Sequence, residues 1–246
     1  METTYKSLAD RVVSRWRHHV EKHTTTTTHV DQPVPRLLIA LAGPPGSGKT
    51  TIATSVVEML QNRRGNDPTT PKTIAVSADG FHLPLATLRA LPNAEEAIAR
   101  RGAPWTFDGL AVLALTRDLG RTPRAVVSAP TFDHAVKDPV TDGLSVGPDV
   151  DVCLLEGNYL LCDEEPWSGV AAEVHDRWLV KVTEDLARAR VAARHVAAGI
   201  EPDLESALRR TDGNDMINGR FVMEKSKGRY DLLVESVEEA RSYQMI

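Results

Sequence analysis

The sequence predicts an α/β fold built on a doubly wound, mostly parallel sheet, and two observations predict it. Short apolar runs at 37–42, 73–77, 152–155 and 178–182, of the kind that strands buried on both faces carry, alternate with stretches of helical periodicity. The first run leads directly into Gly43-Pro44-Pro45-Gly46-Ser47-Gly48-Lys49-Thr50-Thr51, which meets G-x-x-x-x-G-K-[ST] at each fixed position. Ile52, Val56, Val57 and Leu60 then space out the apolar face of a helix. A glycine-rich turn between strand and helix points backbone N–H groups inward, making an anion nest at a helix N-terminus. Lys49 is placed to reach β- and γ-phosphates and the Thr50 hydroxyl to ligate Mg²⁺, so residues 43–51 are read as a nucleoside triphosphate site.

Composition narrows the partners. The chain has 246 residues, 41% hydrophobic and 26% charged, which suits a globular protein with a sizeable core. A net charge of −5 offers no overall basic field for nucleic acid or an anionic membrane. Cys153 and Cys162 lack metal or redox spacing, which suits a reducing compartment. No apolar run approaches a membrane span, and the N-terminus lacks an apolar signal core. Arg11, Arg15 and Arg17 raise a transit peptide, but Glu2, Asp10 and Glu21 count against it, so the cytoplasm is expected. A homodimer is left open.

In chain order, residues 1–23 form an N-terminal amphipathic helix, with Leu8, Val12, Trp16 and Val20 four apart on a stripe that lies over the edge of the core. It is expected to be dispensable for chemistry. A Thr/Pro linker over 24–35 has nothing to bury, and 36–246 form the main domain. A polar loop at 62–71 precedes the second strand, which delivers Ala78-Asp79-Gly80-Phe81-His82 to its carboxyl end, where open α/β sheets bind ligands. Asn93, Glu95 and Glu96 start a helix over 94–101; a polar loop with Trp105 and Phe107 follows, then a helix to about Leu119. A short strand at 125–127 runs into 130–146, where Asp142-Gly143 marks a tight turn of an irregular hairpin or flap. The run at 152–155 ends on Glu156-Gly157-Asn158-Tyr159. After the strand at 178–182 come a helix over 184–198, a second over 201–210 opened by Pro202, a helical stretch at 214–226 and an edge strand at 232–234.

Phosphoryl transfer needs a phosphate cradle, Mg²⁺ ligands, a base for the acceptor and cations for developing charge. Glu156, at the end of the most apolar strand, is read as a second Mg²⁺ group beside Thr50 rather than a helix cap. Asp79 is placed either to take a hydroxyl proton or to make an ordinary Asp-Gly turn, and the residues alone leave both open. His82, Asp133 and His134 lie in loops on the same rim, and each alone reads as solvated. Arg190 and Arg194, four apart on one helix with Arg188 nearby, either close over the phosphates or form a solvated, salt-bridged face, and taken alone the solvated face is the better reading. Arg209, Arg210, Asn214 and Asn218 carry no assignment.

The ordered set Gly43–Thr50, Asp79-Gly80-Phe81-His82, Arg101-Gly102-x-Pro104-x-x-Phe107-Asp108, Pro130-x-Phe132-Asp133-His134-x-x-x-Asp138 and Leu154-Leu155-Glu156-Gly157 resembles the phosphoribulokinase/uridine kinase/pantothenate kinase family of P-loop small-molecule kinases. The whole is most similar to a nucleoside-kinase-like branch of bacteria and fungi. The resemblance covers about 36–235 and implies a five-stranded parallel core of the P-loop NTP hydrolase type, with a helical lid at about 184–215. It implies ATP with Mg²⁺ and transfer of the γ-phosphoryl group to a hydroxyl of a nucleoside, vitamin or sugar type of metabolite. In that reading Lys49, Asp79, Glu156, Arg190 and Arg194 are the catalytic set, with Asp79 as base and the arginines as lid cations. Phe132 and His134 would line the acceptor pocket with Asp79, His82, Arg101 and Asp108 beside them. The chain departs from the family at Phe132, where several members have Tyr, in lacking the Ser-His pair of uridine kinases, and at Leu83-Pro84-Leu85, which differs from pantothenate kinases.

The competing reading is a nucleotide-binding regulator or slow NTPase switch without an acceptor. A GTPase switch would carry an Asn-Lys-x-Asp segment, and none occurs. A nucleic-acid-directed ATPase would carry a basic, aromatic strip, also absent. Retention of Lys49, Thr50, Asp79 and Glu156 argues against a degenerate binding protein.

Overall fold

Strand β1 (Leu37–Ala42) divides the core in two. In the computed structural model, which describes residues 1–26, 33–133 and 135–238, every residue of β1 is buried. Successive side chains of a strand point to opposite faces. Leu37, Ile39 and Leu41 accordingly enter one hydrophobic cluster while Leu38, Ala40 and Ala42 enter the other.

The first cluster is completed by α1 (Glu2–Thr26) and α2 (Lys49–Asn66), through Leu8, Ala9 and Val12 of the former and Ile52, Val56 and Leu60 of the latter. The helix α1 therefore shares the core of the sheet. It also runs into the expected linker as far as Thr26, with the Thr24 and Thr25 hydroxyls donating to carbonyls of the preceding turn. Residues 27–32 of that linker lie outside the described residues.

The remaining elements follow as β2 (Thr73–Ser77), α3 (Leu85–Arg89), α4 (Ala94–Ala99), α5 (Gly109–Gly120), β3 (Val127–Asp133), β4 (Asp138–Val146), β5 (Val152–Gly157), α6 (Trp167–Glu173), β6 (Asp176–Lys181), α7 (Glu184–Ala197), α8 (Leu204–Arg210), α9 (Met216–Lys225) and β7 (Leu232–Glu235). Five strands form one parallel sheet in the order β2-β5-β1-β6-β7, and β3 with β4 forms a separate antiparallel hairpin. Val112, Leu115 and Leu119 of α5 and Trp167 and Val170 of α6 cover the second face. At the amino end of β1 the fully buried Arg36 guanidinium donates to the carbonyls of Leu119, Ala125 and Gly147 at 2.6–3.1 Å, tying the last turn of α5 to the loops before β3 and after β4.

Three local expectations change. The pair Asp142-Gly143 lies inside β4 and not at the reversal: Ala129 pairs with Leu144 and Thr131 with Val140, so residues 141–143 bulge opposite Pro130 alone. Asp142 supplies the positive φ of 54° there, so a turn-forming pair bends a strand instead of reversing it. The reversal falls after Asp133, whose carboxylate accepts the N–H groups of Ala135 and Val136. Helix α8 begins at Leu204 because Asp203 accepts the Ser206 N–H at 2.8 Å as its N-cap, leaving Pro202 outside. Helix α4 stops at Ala99, and the short α6 was not signalled by periodicity.

Polar contacts dock α1 on β6. Arg11 donates two bonds of 2.7 Å to the buried Asp176, which also accepts from the Trp178 indole at 2.8 Å. The His19 and His175 rings pack edge to face with centroids 4.7 Å apart, and His175 Nδ1 accepts the Leu38 N–H at 3.1 Å. Burial, reinforced by His175, pushes His19 down to about 4, and burial lowers His175 as well. The fold disfavours the charged form of both rings, whereas an unfolded histidine titrates near 6.5, so their contribution is complete above that value and is lost as pH falls below it, for His19 toward about 4. The urea midpoint is therefore expected to drop between pH 7 and pH 4.5, and to drop less in His19→Leu. An identical drop in both proteins would remove His19 from the account.

Candidate active site

The phosphate loop occupies the turn between β1 and α2. Gly46 and Gly48 take φ of 76° and 81°, the left-handed region that a side chain disfavours. A Cβ on Gly46 would lie 2.5 Å from the Ala187 carbonyl of α7, so the second constraint there is contact with that helix. Gly48 is the N-cap of α2 and offers no side chain to the first-turn N–H groups. Those groups have no intrahelical partner and are left for an anion. The buried Ser47 hydroxyl has no protein partner either, among the described residues.

Register then places the acids. In the sheet Glu156 lies between Leu41 of β1 and Ser77 of β2. Its carboxylate, 2% exposed, accepts from the Thr50 hydroxyl at 3.2 Å and the Ser77 hydroxyl at 2.5 Å. Ser77 Oγ in turn accepts the Asp79 N–H at 3.3 Å, in the single 3₁₀ turn that follows β2. Burial drives Glu156 upward, opposed by the Lys49 charge and augmented by that of Asp79. Lys49 is pushed down by burial and supported by Glu156 and Asp79, with Arg194 acting against it. Lys49 thus lies in the field of Asp79 and Glu156 at the carboxyl ends of β2 and β5, and of Arg194 on α7.

The arginines of α7 divide. Arg188 faces outward in a two-pronged pair with Asp212 at 2.6 and 2.7 Å. Arg190 donates to the Gly46 carbonyl at 3.3 Å, to Ser236 Oγ at 2.9 Å and to the Val237 carbonyl at 2.9 Å. It binds the loop itself to the segment after β7.

Most of the expected acceptor residues form a second group. The His82 ring lies 4.0 Å from Phe107 and 5.0 Å from Phe132, and its Nδ1 is 2.8 Å from the Asp79 carbonyl. The Arg101 guanidinium sits 5.6 Å from the Phe132 ring and donates to Asp138 at 2.7 Å and to the Lys137 and Leu83 carbonyls. Asp108 follows Phe107 in this group, but its side chain is exposed and caps α5, accepting the Ala111 N–H at 2.9 Å. His134 lies outside the described residues. Sequence reasoning missed Ser77, which no motif marks. It also left Asn214 and Asn218 unassigned, although both are buried.

No protein-family model matches the chain. Curated relatives do. The chain is 39% identical over 202 residues to the Schizosaccharomyces pombe protein named "Putative uridine kinase C227.14", covering 82% of this chain and 84% of that one. It is 31% identical over 224 residues to ATP-dependent kinase YFH7 of Kluyveromyces lactis, covering 76% of this chain and 64% of that one. Among solved structures, YFH7 of Saccharomyces cerevisiae superposes with a TM-score of 0.76 at 20% identity, covering 96% of this chain and 99% of that one, a likeness of fold. No helix among the described residues is long and apolar enough to cross a membrane. With its phosphate loop, strand-end acids and kinase relatives, the chain belongs to the phosphoribulokinase/uridine kinase family of P-loop kinases and is an ATP-dependent kinase.

Proposed function

We propose that this kinase transfers the γ-phosphoryl group of ATP to a hydroxyl of a small metabolite of nucleoside, vitamin or sugar type, with Asp79 taking the hydroxyl proton. The observation that supports this is the pair of acids, Asp79 and Glu156, on the tips of adjacent strands and both in the field of Lys49. The loop 43–51 holds the triphosphate, and Lys49 lies along its β/γ end. The acceptor oxygen attacks the γ-phosphorus, the bond to the ADP oxygen breaks, and the proton passes to Asp79. Arg194 meets charge on the group in flight, and Arg190 holds the loop against α7. Helices α7 and α8 with the turn to residue 215 act as the lid.

Mg²⁺ fits the residues present. Thr50 Oγ1 and Glu156 Oε2 are hard oxygen donors 3.2 Å apart. No group of three or more His, Cys, Asp or Glu suited to a metal occurs among the described residues. That suits an ion held by one or two protein oxygens, water and the nucleotide. Held there by Thr50 and Glu156, the ion would neutralise negative charge on the phosphates during transfer.

On the acceptor side, His82, Phe107 and Phe132 provide a ring-lined wall, and the charge of Arg101 is matched by Asp138. Both features favour an uncharged acceptor over a sugar phosphate. The name of the Schizosaccharomyces pombe relative adds uridine to the candidates.

An ADP-release assay across nucleosides including uridine, vitamins, sugars and sugar phosphates is expected to show stimulation by a neutral acceptor over the no-acceptor control. Release that no acceptor changes would favour the regulator instead. Lys49→Ala is expected to lose at least about 100-fold in turnover with little change in fold by circular dichroism. Asp79→Asn is expected to lose about 10²–10⁴ in kcat while the ADP dissociation constant stays within about twofold. Equal losses in both would make Asp79 a structural turn residue.

A further inference from the structure

The turn between α8 and α9 has a job that the phosphate and acceptor groups do not explain. Residues 211–215 form one π-helical turn that continues into α9 without a break, and such turns recur at functional sites. From this turn the buried Asn214 Nδ2 donates to the Arg101 carbonyl at 3.0 Å. Asn218, 2% exposed, accepts from Arg100 Nη2 at 2.9 Å and donates to Asn214 Oδ1 at 3.3 Å. Arg100 Nη1 also donates to the Gly213 carbonyl at 3.1 Å. From the opposite side the Tyr159 hydroxyl donates to the Gly102 carbonyl at 2.5 Å. The loop 100–102 is thereby gripped between the α8–α9 junction and the loop after β5.

The same stretch reaches the phosphate loop. A Cβ on Gly219 would lie 3.2 Å from Pro44 Cβ and 3.7 Å from Pro45 Cδ, so one residue beyond Asn218 the helix rests on the cradle. Within six residues, then, one rigid element touches the donor loop and holds the backbone of the loop that carries Arg101. Arg101 in turn fastens to Asp138 and Phe132 of the β3–β4 hairpin.

We infer that Asn214 and Asn218 are positioning residues, which fix the distance between the phosphate cradle and the acceptor loop by clamping residues 100–102 to the α8–α9 junction. The inference rests on the kinase reading above. Neither asparagine touches substrate; each acts through the backbone of Arg101 or the side chain of Arg100. A hydroxyl must sit about 3–3.5 Å from the phosphorus it attacks, and misplacement by about 1 Å costs on the order of 100-fold. A clamp on that spacing therefore acts on kcat and leaves nucleotide affinity alone.

Two substitutions of equal size separate this role from simple stability. Asn214→Asp turns the donor that faces the Arg101 carbonyl into an acceptor and breaks the clamp. Asn218→Asp keeps the oxygen that faces Arg100 and loses only the donor that faces Asn214 Oδ1. With the acceptor that gives the largest ADP-release signal, Asn214→Asp is expected to lose about 10- to 100-fold in kcat, with the ADP·Mg²⁺ dissociation constant within about twofold by calorimetry. Asn218→Asp is expected to lose less kcat than Asn214→Asp, because Arg100 retains its partner while only the bond to Asn214 Oδ1 is lost. Wild-type turnover in Asn214→Asp, or parallel loss of kcat and ADP affinity, would overturn the assignment. A second measurement needs no acceptor: in the full chain loaded with ADP·Mg²⁺, the amides of Gly102, Ala103, Trp105 and Thr106 in Asn214→Asp should exchange hydrogen at least about fivefold faster than wild type, with amides 46–52 unchanged. Unchanged exchange at 102–106 sinks the clamp alone, whereas a wild-type chain that does not bind ADP·Mg²⁺ sinks the kinase reading and the clamp with it.

Discussion

The site depends on one buried carboxylate. Glu156 is enclosed at the tip of β5, where the loss of water works against its charge. Its oxygens are satisfied by hydroxyls from the helix on one side and the strand on the other, Thr50 and Ser77. That arrangement costs desolvation and leaves Lys49 as the nearby positive charge that offsets it. Remove the carboxylate and the start of α2 and the end of β2 lose their common partner, and the Ser77 hydroxyl that holds the Asp79 turn loses its acceptor.

How much of this could be read in the sequence depended on how local the information was. The phosphate loop was fully legible because its glycines, lysine and threonine are contiguous and each is needed for a local reason, such as the positive φ of Gly46 and Gly48. Asp79 and Glu156 were legible through position alone, since each follows a buried run in a parallel sheet and such sheets gather ligands at one end. Helix α1 was visible as a stripe, but its share of the central core was not. The stripe records that one face is apolar and says nothing of whether Ile39 or solvent lies opposite.

What stayed hidden was pairwise and distant. The neutralisation of Arg101 by Asp138 links residues 37 positions apart, and the asparagines of the α8–α9 junction meet Arg100 and Arg101 across more than a hundred. The pair Asp142-Gly143 carried the signature of a reversal but was used as a bulge, because the strand pairing on both sides of it continues. The division between Arg188 and Arg190 is of the same kind: two residues apart on one helix, one meets Asp212 in solvent and the other meets the cradle. A charge pattern cannot distinguish them, and a helix turn of roughly 100° per residue does.

Arg36 has a consequence of its own. Its guanidinium is enclosed by three peptide oxygens with no acid among them, and its Nε has no partner among the described residues. A lysine in such surroundings could discard its proton, but arginine keeps its charge at any pH a protein survives. The amino end of the central strand therefore holds a permanent positive pole inside the molecule, with a fork geometry that a flexible amine could not reproduce. The trunk of the fold is in this way braced by a cation at its root, while the chemistry proceeds at the crown.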